Sequence, residues 1–566
     1  MHVAIVPSRQ KSGLYRSVLV RQSYREGGKV KHRTLANLSR LPPAAIEAVR
    51  AVLRGQPVGP LDAAFEIERS RPHGHVLAAL GQLRALGLDR LLASRPRRER
   101  ELALAMIVAR VLKPTSKLAL ARGLERTSLA GLLGLEGADE DELYAAMDWL
   151  LTRQPKVEAA LAARHLAAGG LVLYELTSAY LEGRRCPLAR RGYSRDGKGG
   201  VLQIEFGLIT DAEGRPIAVD VFEGNVADPM TVATQVAKVR DRFGISEVVL
   251  VGDRGMLTSA RIETLKGTGV SWISALRSDQ IEGLVKSGDL QLGLFDERNL
   301  AEIRSPRFPG ERLVVCRNPA LASERARTRE ELLAATEREL ARVADAVAAG
   351  RLRSEAAIGE RVGRVIGRHK VGKHFGRQIA EGVFRYWRDE ERIAAEAALD
   401  GLYVIRSNVP PEQLAERELV RSYKLLARVE QAFRSLKSID LEVRPIRHRL
   451  ADRVRAHVFI CMLAYYVRWH LERAWAPLLF RDEEPPLADD PVAPARRSPE
   501  ALAKARTGRR ADGQPVYSFR DLLDELATLT KNTVRVPGSE ATFTKLALPT
   551  PLHIEALRLI GLDATM

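Results

Sequence analysis

The run LVLY at 171–174 is apolar and aromatic enough for a buried strand, and it ends on a carboxylate, Glu175. Burying an acid is costly unless it is paired or binds a cation. Glu175 therefore either belongs to a site or points outward, as every second strand residue does. A second acid follows the same pattern: the apolar run VVLV at 248–251 leads into Gly252, Asp253, Arg254 and Gly255. In open α/β sheets ligands gather at the carboxyl ends of strands, and a turn or cap aspartate is the ordinary alternative. A third acid, Glu430, lies in the helical run Val420 to Lys437. At about 100° per residue, Tyr423, Glu430 and Lys437 project within about 40° of one another. Beside them runs an apolar stripe of Leu425, Leu426, Val429, Phe433 and Leu436. Glu430 at that border either pairs with Arg434, four residues on, or joins the other two acids. Arg434 and Lys437 suit a phosphate.

The elements that must position these groups alternate in a definite order. LVLYEL, VLQIEFGLI and PIAVDVF read as three strands, DPMTVATQVAKVRDRF as a helix, SEVVLVGD as a strand, TSARIETLKG as a helix and VSWISAL as a strand. That order suits a ribonuclease H-like α/β catalytic core over 171–276. Residues 277–398 break it, with strand-like LVVCRNP and EGVFRYW around the charged helical run REELLAATERELARVADAVAAG, and read as a mixed β-rich and helical insertion. Trp387 in this stretch is ordinarily a core residue; stacking on DNA, next to the basic run RHKVGKHFGRQ, is the other reading. The core resumes over 399–480 with DGLYVIRSNV and the Glu430 helix, and 481–566 reads as a Pro-rich loop and helical tail.

Between the first two core strands, RRCPLARRGYSRDGKGG carries Arg184, Arg185, Arg190, Arg191, Arg195 and Lys198. Such a loop either holds a phosphate backbone or is a solvated charge run. Ahead of the core, residues 1–62 carry 11 Lys or Arg against 3 Asp or Glu, a local charge of +8. Two strand-like runs there flank the turn EGGK, which predicts a basic hairpin that either contacts nucleic acid or is simply a solvated edge. Residues 63–170 read as a helical domain whose broken pair LKPTSKLALARGLERTSLAGLLGL permits a helix-turn-helix, although plain helical hairpins are commoner.

Across all 566 residues the formal charge is +18 and the pI about 10.0, which favours a polyanionic partner, nucleic acid before an anionic membrane surface. The longest apolar run, VFICMLAYYV at 458–467, is too short to span a bilayer, and the first residues lack a long apolar signal core, so a cytoplasmic protein is expected. Cys186, Cys316 and Cys461 are far apart and odd in number, which argues against a disulfide framework or a cysteine zinc site.

Together YELTSAYLEG, GNVADPMT, VGDRGM and YKLLARVEQAFRSLK resemble insertion-sequence transposases of the DDE class, the group with a β-rich insertion and a Tyr-Arg-Glu-Lys signature. The resemblance implies cleavage of double-stranded DNA at transposon ends and strand transfer into a target, by a nucleoid-associated protein that acts as a homodimer in its DNA complex. It also implies that Glu175, Asp253 and Glu430 form the acidic triad and hold Mg²⁺ or Mn²⁺, two ions, with Tyr423 and Lys437 as the first and last signature residues. Two such ions about 3.5–4 Å apart would stabilise both the entering and the leaving oxygen of a phosphodiester exchange. Two positions depart from the pattern. The first acid is Glu175 where the family has aspartate, and Leu426 stands where the signature has arginine. A transposase-derived DNA-binding protein with weakened catalysis is therefore the alternative expectation.

Overall fold

A computed structural model describes residues 1–10, 13–56, 65–291, 295, 299–537 and 540–564; the expected boundary at 62/63 lies outside them. Three strands, β1 (His2–Gln10), β2 (Gly13–Glu26) and β3 (Lys29–Asn37), form an antiparallel sheet in which β2 and β3 turn through Gly27 and Gly28. Both glycines have positive φ, 57° and 74°, the backbone such a tight turn demands. Strand β4 (Glu66–Pro72) then leads into a helical body.

Helices Gly74–Ala85, Arg98–Leu112 and Glu140–Leu151 build that body, the last started by a reciprocal cap between Asp139 and Glu142. The short helices Lys117–Gly123 and Leu129–Leu133 pack on it. Through its middle runs the helix Ala451–Ala474, buried on all sides from Ala456 to Trp469. It contacts three of these helices and also the central sheet, so the apolar run at 458–467 is a shared core element. Among the described residues no helix is long and apolar enough to cross a membrane.

The central sheet is mixed. Its strands are β5 (Leu171–Tyr180), β6 (Arg190–Arg191), β7 (Leu202–Thr210), β8 (Pro216–Glu223), β9 (Val248–Gly252), β10 (Val270–Ala275), β11 (Leu300–Ile303) and β12 (Arg312–Arg317), joined by one more strand from beyond residue 400. Five of them lie in the order β8-β7-β5-β9-β10, antiparallel across β8, β7 and β5 and parallel across β5, β9 and β10. Helices cover both faces, which is why β5, β7 and β9 read as near-continuous apolar runs. Gly207 on β7 lies under the ring of Tyr174; a Cβ there would stand 2.4 Å from the phenol oxygen.

Beyond β10 the sheet continues through segments on either side of a helical excursion. Helices Pro319–Ala348 and Glu355–His369 and the hairpin of β13 (Phe375–Ala380) and β14 (Val383–Arg388) share a small separate core. Strand β15 (Leu402–Ser407) then pairs antiparallel with both β10 and β12, so β11 and β12, though they fall within 277–398, belong to the central sheet. Trp387 is not in a core: it is 53% exposed on β14, its ring laid across Gly376 of β13.

The tail holds strands that its sequence does not announce. After helices Pro499–Thr507 and Phe519–Ala527, β16 (Thr530–Arg535) pairs with β4 on one side and with β17 (Thr542–Leu546) on the other. The last helix, Pro551–Leu559, closes on the helical body, where the Ala556 carbonyl accepts from the fully buried Trp475 indole at 2.8 Å.

Candidate active site

The register of β5 and β9 sets the first two acids side by side. Tyr174 pairs with Gly252 across the parallel strands, so the next residue of each, Glu175 and Asp253, leaves the pairing together. On β9 the chain turns away at that point, with the Met256 and Leu257 amides donating to the Asp253 carbonyl at 3.0 and 3.1 Å. β5 instead runs on, paired with β7, which keeps Glu175 inside the sheet opposite Leu208.

The helical run at 420–437 comes as three segments: Glu416–Lys424 with Tyr423, Leu426–Arg434 with Glu430, and a wider turn, Ser435–Ile439, with Lys437. Leu426, Val429, Phe433 and Leu436 are buried, and the middle segment packs against β5. This leaves Glu430 on the outward edge of that helix, within electrostatic range of Glu175. No ion pair joins Glu430 to Arg434 among the described residues, and Arg434 is exposed.

Burial first, then the charges of Glu430 and Asp253, push the Glu175 carboxyl up to about 8. Its Oε2 is buried with no hydrogen-bond partner. Burial and then Asp253 likewise raise the Tyr423 phenol, which senses Glu175 and Glu430 as well. An orphaned carboxylate oxygen beside two further acids is a hard-oxygen donor set, the kind that suits Mg²⁺ or Mn²⁺. Among the described residues no three His, Cys, Asp or Glu side chains close into a cage able to hold a cation unaided. The acids would share an ion with water or a phosphate.

The cations predicted from sequence divide into two kinds. Arg184, Arg185, Arg191 and Lys198 are exposed, Lys198 standing 3.7 Å over the Tyr180 ring. Arg190 folds back on the Pro187 carbonyl at 2.7 Å and on Glu223 at 3.3 Å. Arg195 and Lys437 face inward. Arg195 binds Glu205 at 2.6 Å and also pairs with Asp228, while Lys437 donates to Thr177 at 2.9 Å and pairs with Asp196. Asp196, its side chain 1% exposed, also takes Arg444. Burial lowers the Lys437 pKa against the pull of Asp196.

Asp196, Glu205, Asp228 and Arg444 escaped the sequence reading. Two of them left a trace: Glu205 interrupts an otherwise apolar strand, and Asp228 sits in the fragment GNVADPMT at the start of a helix. Burial pushes Glu205 up to about 7 against the attraction of Arg195. At Leu426, where an arginine was expected, the side chain is buried. The nearby Arg428 reaches away to the Ala212 carbonyl at 2.5 Å.

Two family models match this chain. Residues 183–467, just over half of it, match the Transposase DDE domain, and residues 3–58 match the IS1634 family transposase, N-terminal domain. The chain belongs to the DDE transposases, and among them to those of insertion sequences. It is accordingly a DNA-binding enzyme of the class that cleaves DNA and transfers its strands. The matched stretch contains Asp253, Tyr423, Glu430 and Lys437 and begins after Glu175. Among solved structures the chain is similar to a piggyBac transposase synaptic complex with hairpin DNA, at 9% identity and a TM-score of 0.34, over 76% of this chain and 70% of that one. No curated protein matches it.

Proposed function

We propose that this transposase, as a homodimer, cuts double-stranded DNA at the ends of its element and joins the freed ends to target DNA, with Glu175, Asp253 and Glu430 holding Mg²⁺ or Mn²⁺. The observation that carries this reading is the pairing of Tyr174 with Gly252, which sets Glu175 beside Asp253, together with the unpartnered buried oxygen of Glu175. The strand order β8-β7-β5-β9-β10, with its change from antiparallel to parallel at β5, supports a ribonuclease H-like core. Divalent cations at such a site supply charge stabilisation at the attacking and leaving oxygens of the phosphodiester.

The chain's own residues do the rest. Glu175, Asp253 and Glu430 would hold the cations, and through them would fix where the scissile phosphate sits. Lys437, bonded to Thr177 two residues past Glu175, holds the Glu430 segment against that strand. Tyr423, kept protonated by burial, presents an O–H donor to a phosphate oxygen at the same place. Exposed Arg184, Arg185 and Arg191 provide backbone contacts beside it.

The test is cleavage of duplexes carrying the element's own ends. Asp253→Ala and Glu430→Ala each lose Mg²⁺-dependent cleavage while still binding the duplex, since removing an ion ligand affects chemistry more than docking. Near-native cleavage by either variant removes that residue from the site.

A further inference from the structure

Asp228 opens the helix Asp228–Ala237, where an acid in the first turn would ordinarily serve the helix dipole. Its two carboxylate oxygens have different surroundings. Oδ1 is taken by the Arg195 guanidinium, whereas Oδ2 has no hydrogen bond among the described residues. The free oxygen is turned toward the acids: a Cβ built on Gly255 would lie 3.7 Å from Asp228 Oδ2 and 3.6 Å from Asp253 Oδ2. One glycine thus separates the two carboxylates, and Asp228 is also among the charges that disfavour ionised Glu175.

Arg195 is itself held on three sides. Its backbone amide donates to Ser178 Oγ at 2.9 Å, three residues along β5 from Glu175, and its guanidinium bridges Asp228 and Glu205, the latter at 2.6 Å. Glu205 in turn accepts from Gln203 Nε2 at 3.0 Å. A planar guanidinium gripped this way fixes the rotation of the carboxylates it bridges.

We propose that Asp228 is a fourth carboxylate of the cation site, its Oδ2 facing the ion beside Asp253, and that Arg195 is the positioning residue that orients it. This rests on the cation-binding reading of Glu175, Asp253 and Glu430. It gives Arg195 an internal task in place of a phosphate contact. The ion gains an additional hard oxygen, and Arg195 offsets part of the mutual repulsion of the acids while the site is empty of metal.

The experiment is Mn²⁺ titration of the full, DNA-free chain by calorimetry, with thermal melting in metal-free buffer alongside. Asp228→Asn keeps the size and the Arg195 contact but removes the charge, and is expected to weaken Mn²⁺ binding about tenfold or more. Arg195→Ala is expected to do the same and Arg195→Lys to restore part of it. A role limited to starting the helix would instead lower the metal-free melting temperature of Asp228→Asn and leave its Mn²⁺ affinity at the native value, and that outcome overturns the proposal. Asp253→Ala separates the two levels. If it binds Mn²⁺ as the native chain does, the cation site itself is wrong; if it loses binding while Asp228→Asn does not, only the fourth carboxylate is.

Discussion

Lys437 Nζ donates to Thr177 Oγ1 at 2.9 Å, tying the segment after Glu430 to the strand two residues beyond Glu175. The bond spans 260 positions of sequence and joins the two elements that carry Glu175 and Glu430. Lys437→Met is therefore expected to lower single-turnover cleavage on the order of a hundredfold, the usual result of misplacing a reacting group by about 1 Å. The salt dependence of DNA binding should stay as it is, because this ammonium faces Asp196 and Thr177. A flatter salt slope in Lys437→Met would mean that it contacts phosphate after all.

The outer arginines give the opposite expectation. Arg184, Arg185 and Arg191 are exposed, and each that neutralises a phosphate contributes about 0.9 to the slope of log affinity against log salt. Replacing all three by Ala should flatten that slope, while Arg195→Ala should not. Filter binding across a salt series measures both, and an unchanged slope in the triple variant excludes the loop from the interface.

Glutamate at position 175 is one methylene longer than the family's aspartate. It is fixed in the sheet opposite Leu208, so its carboxylate reaches further toward Asp253 than an aspartate would. Glu175→Asp is expected to raise cleavage in Mg²⁺, and Glu175→Ala to abolish it. Slower cleavage by Glu175→Asp would show a backbone adapted to the longer acid; normal cleavage by Glu175→Ala would remove the residue from the site.

Proton binding at Glu175 has a definite sign. Its carboxyl titrates near 8 in the metal-free fold against 4.5 ordinarily, so the folded chain binds that proton more tightly than the unfolded one. The resulting stability is full below about pH 4.5 and lost as pH rises through about 8. Metal-free melting temperatures should fall over that window, and Glu175→Gln should flatten much of that fall. Added Mn²⁺ should oppose the loss if these acids hold it, because a cation binds the deprotonated carboxylates. A Glu175→Gln chain with the native pH profile would contradict this.

Gly207 offers a test of the packing behind the site. Its missing side chain makes room for Tyr174, the residue just before Glu175, and a Cβ would fall 2.4 Å from the phenol oxygen. Gly207→Ala should cost about 1–3 kcal/mol, as overpacking generally does, seen as an earlier urea midpoint; Gly207→Ala with Tyr174→Phe should recover part of it.

Short-range pattern made much of the sheet readable. Leu171–Tyr174 and Val248–Val251 are uninterrupted apolar runs that each end on an acid, so both the strands and the change of character at Glu175 and Asp253 are visible locally. The pairings of Arg195 and Asp196 are not, because their partners lie 10 to 33 positions away for the arginine and across the whole helical excursion for the aspartate. A loop rich in arginine looks uniformly solvent-facing until the fold supplies Glu205 and Asp228. Trp387 misleads in the other direction: large aromatics are usually buried, and only the two-stranded β13–β14 hairpin leaves this one outside. Strands β16 and β17 carry Lys, Asn, Thr and Arg with little apolar alternation, so nothing local marks them.

The pairing of β16 with β4 sets a timetable for synthesis. Residues 66–72 leave the ribosome early, yet the strand that pairs with them lies at 530–535. Through most of translation the nascent polypeptide carries β4 with both of its edges unpaired, the kind of surface that recruits other strands. A product cut short before residue 530 would leave both edges of β4 unpaired, and would be expected to aggregate or be degraded even though Glu175, Asp253 and Glu430 had already been made.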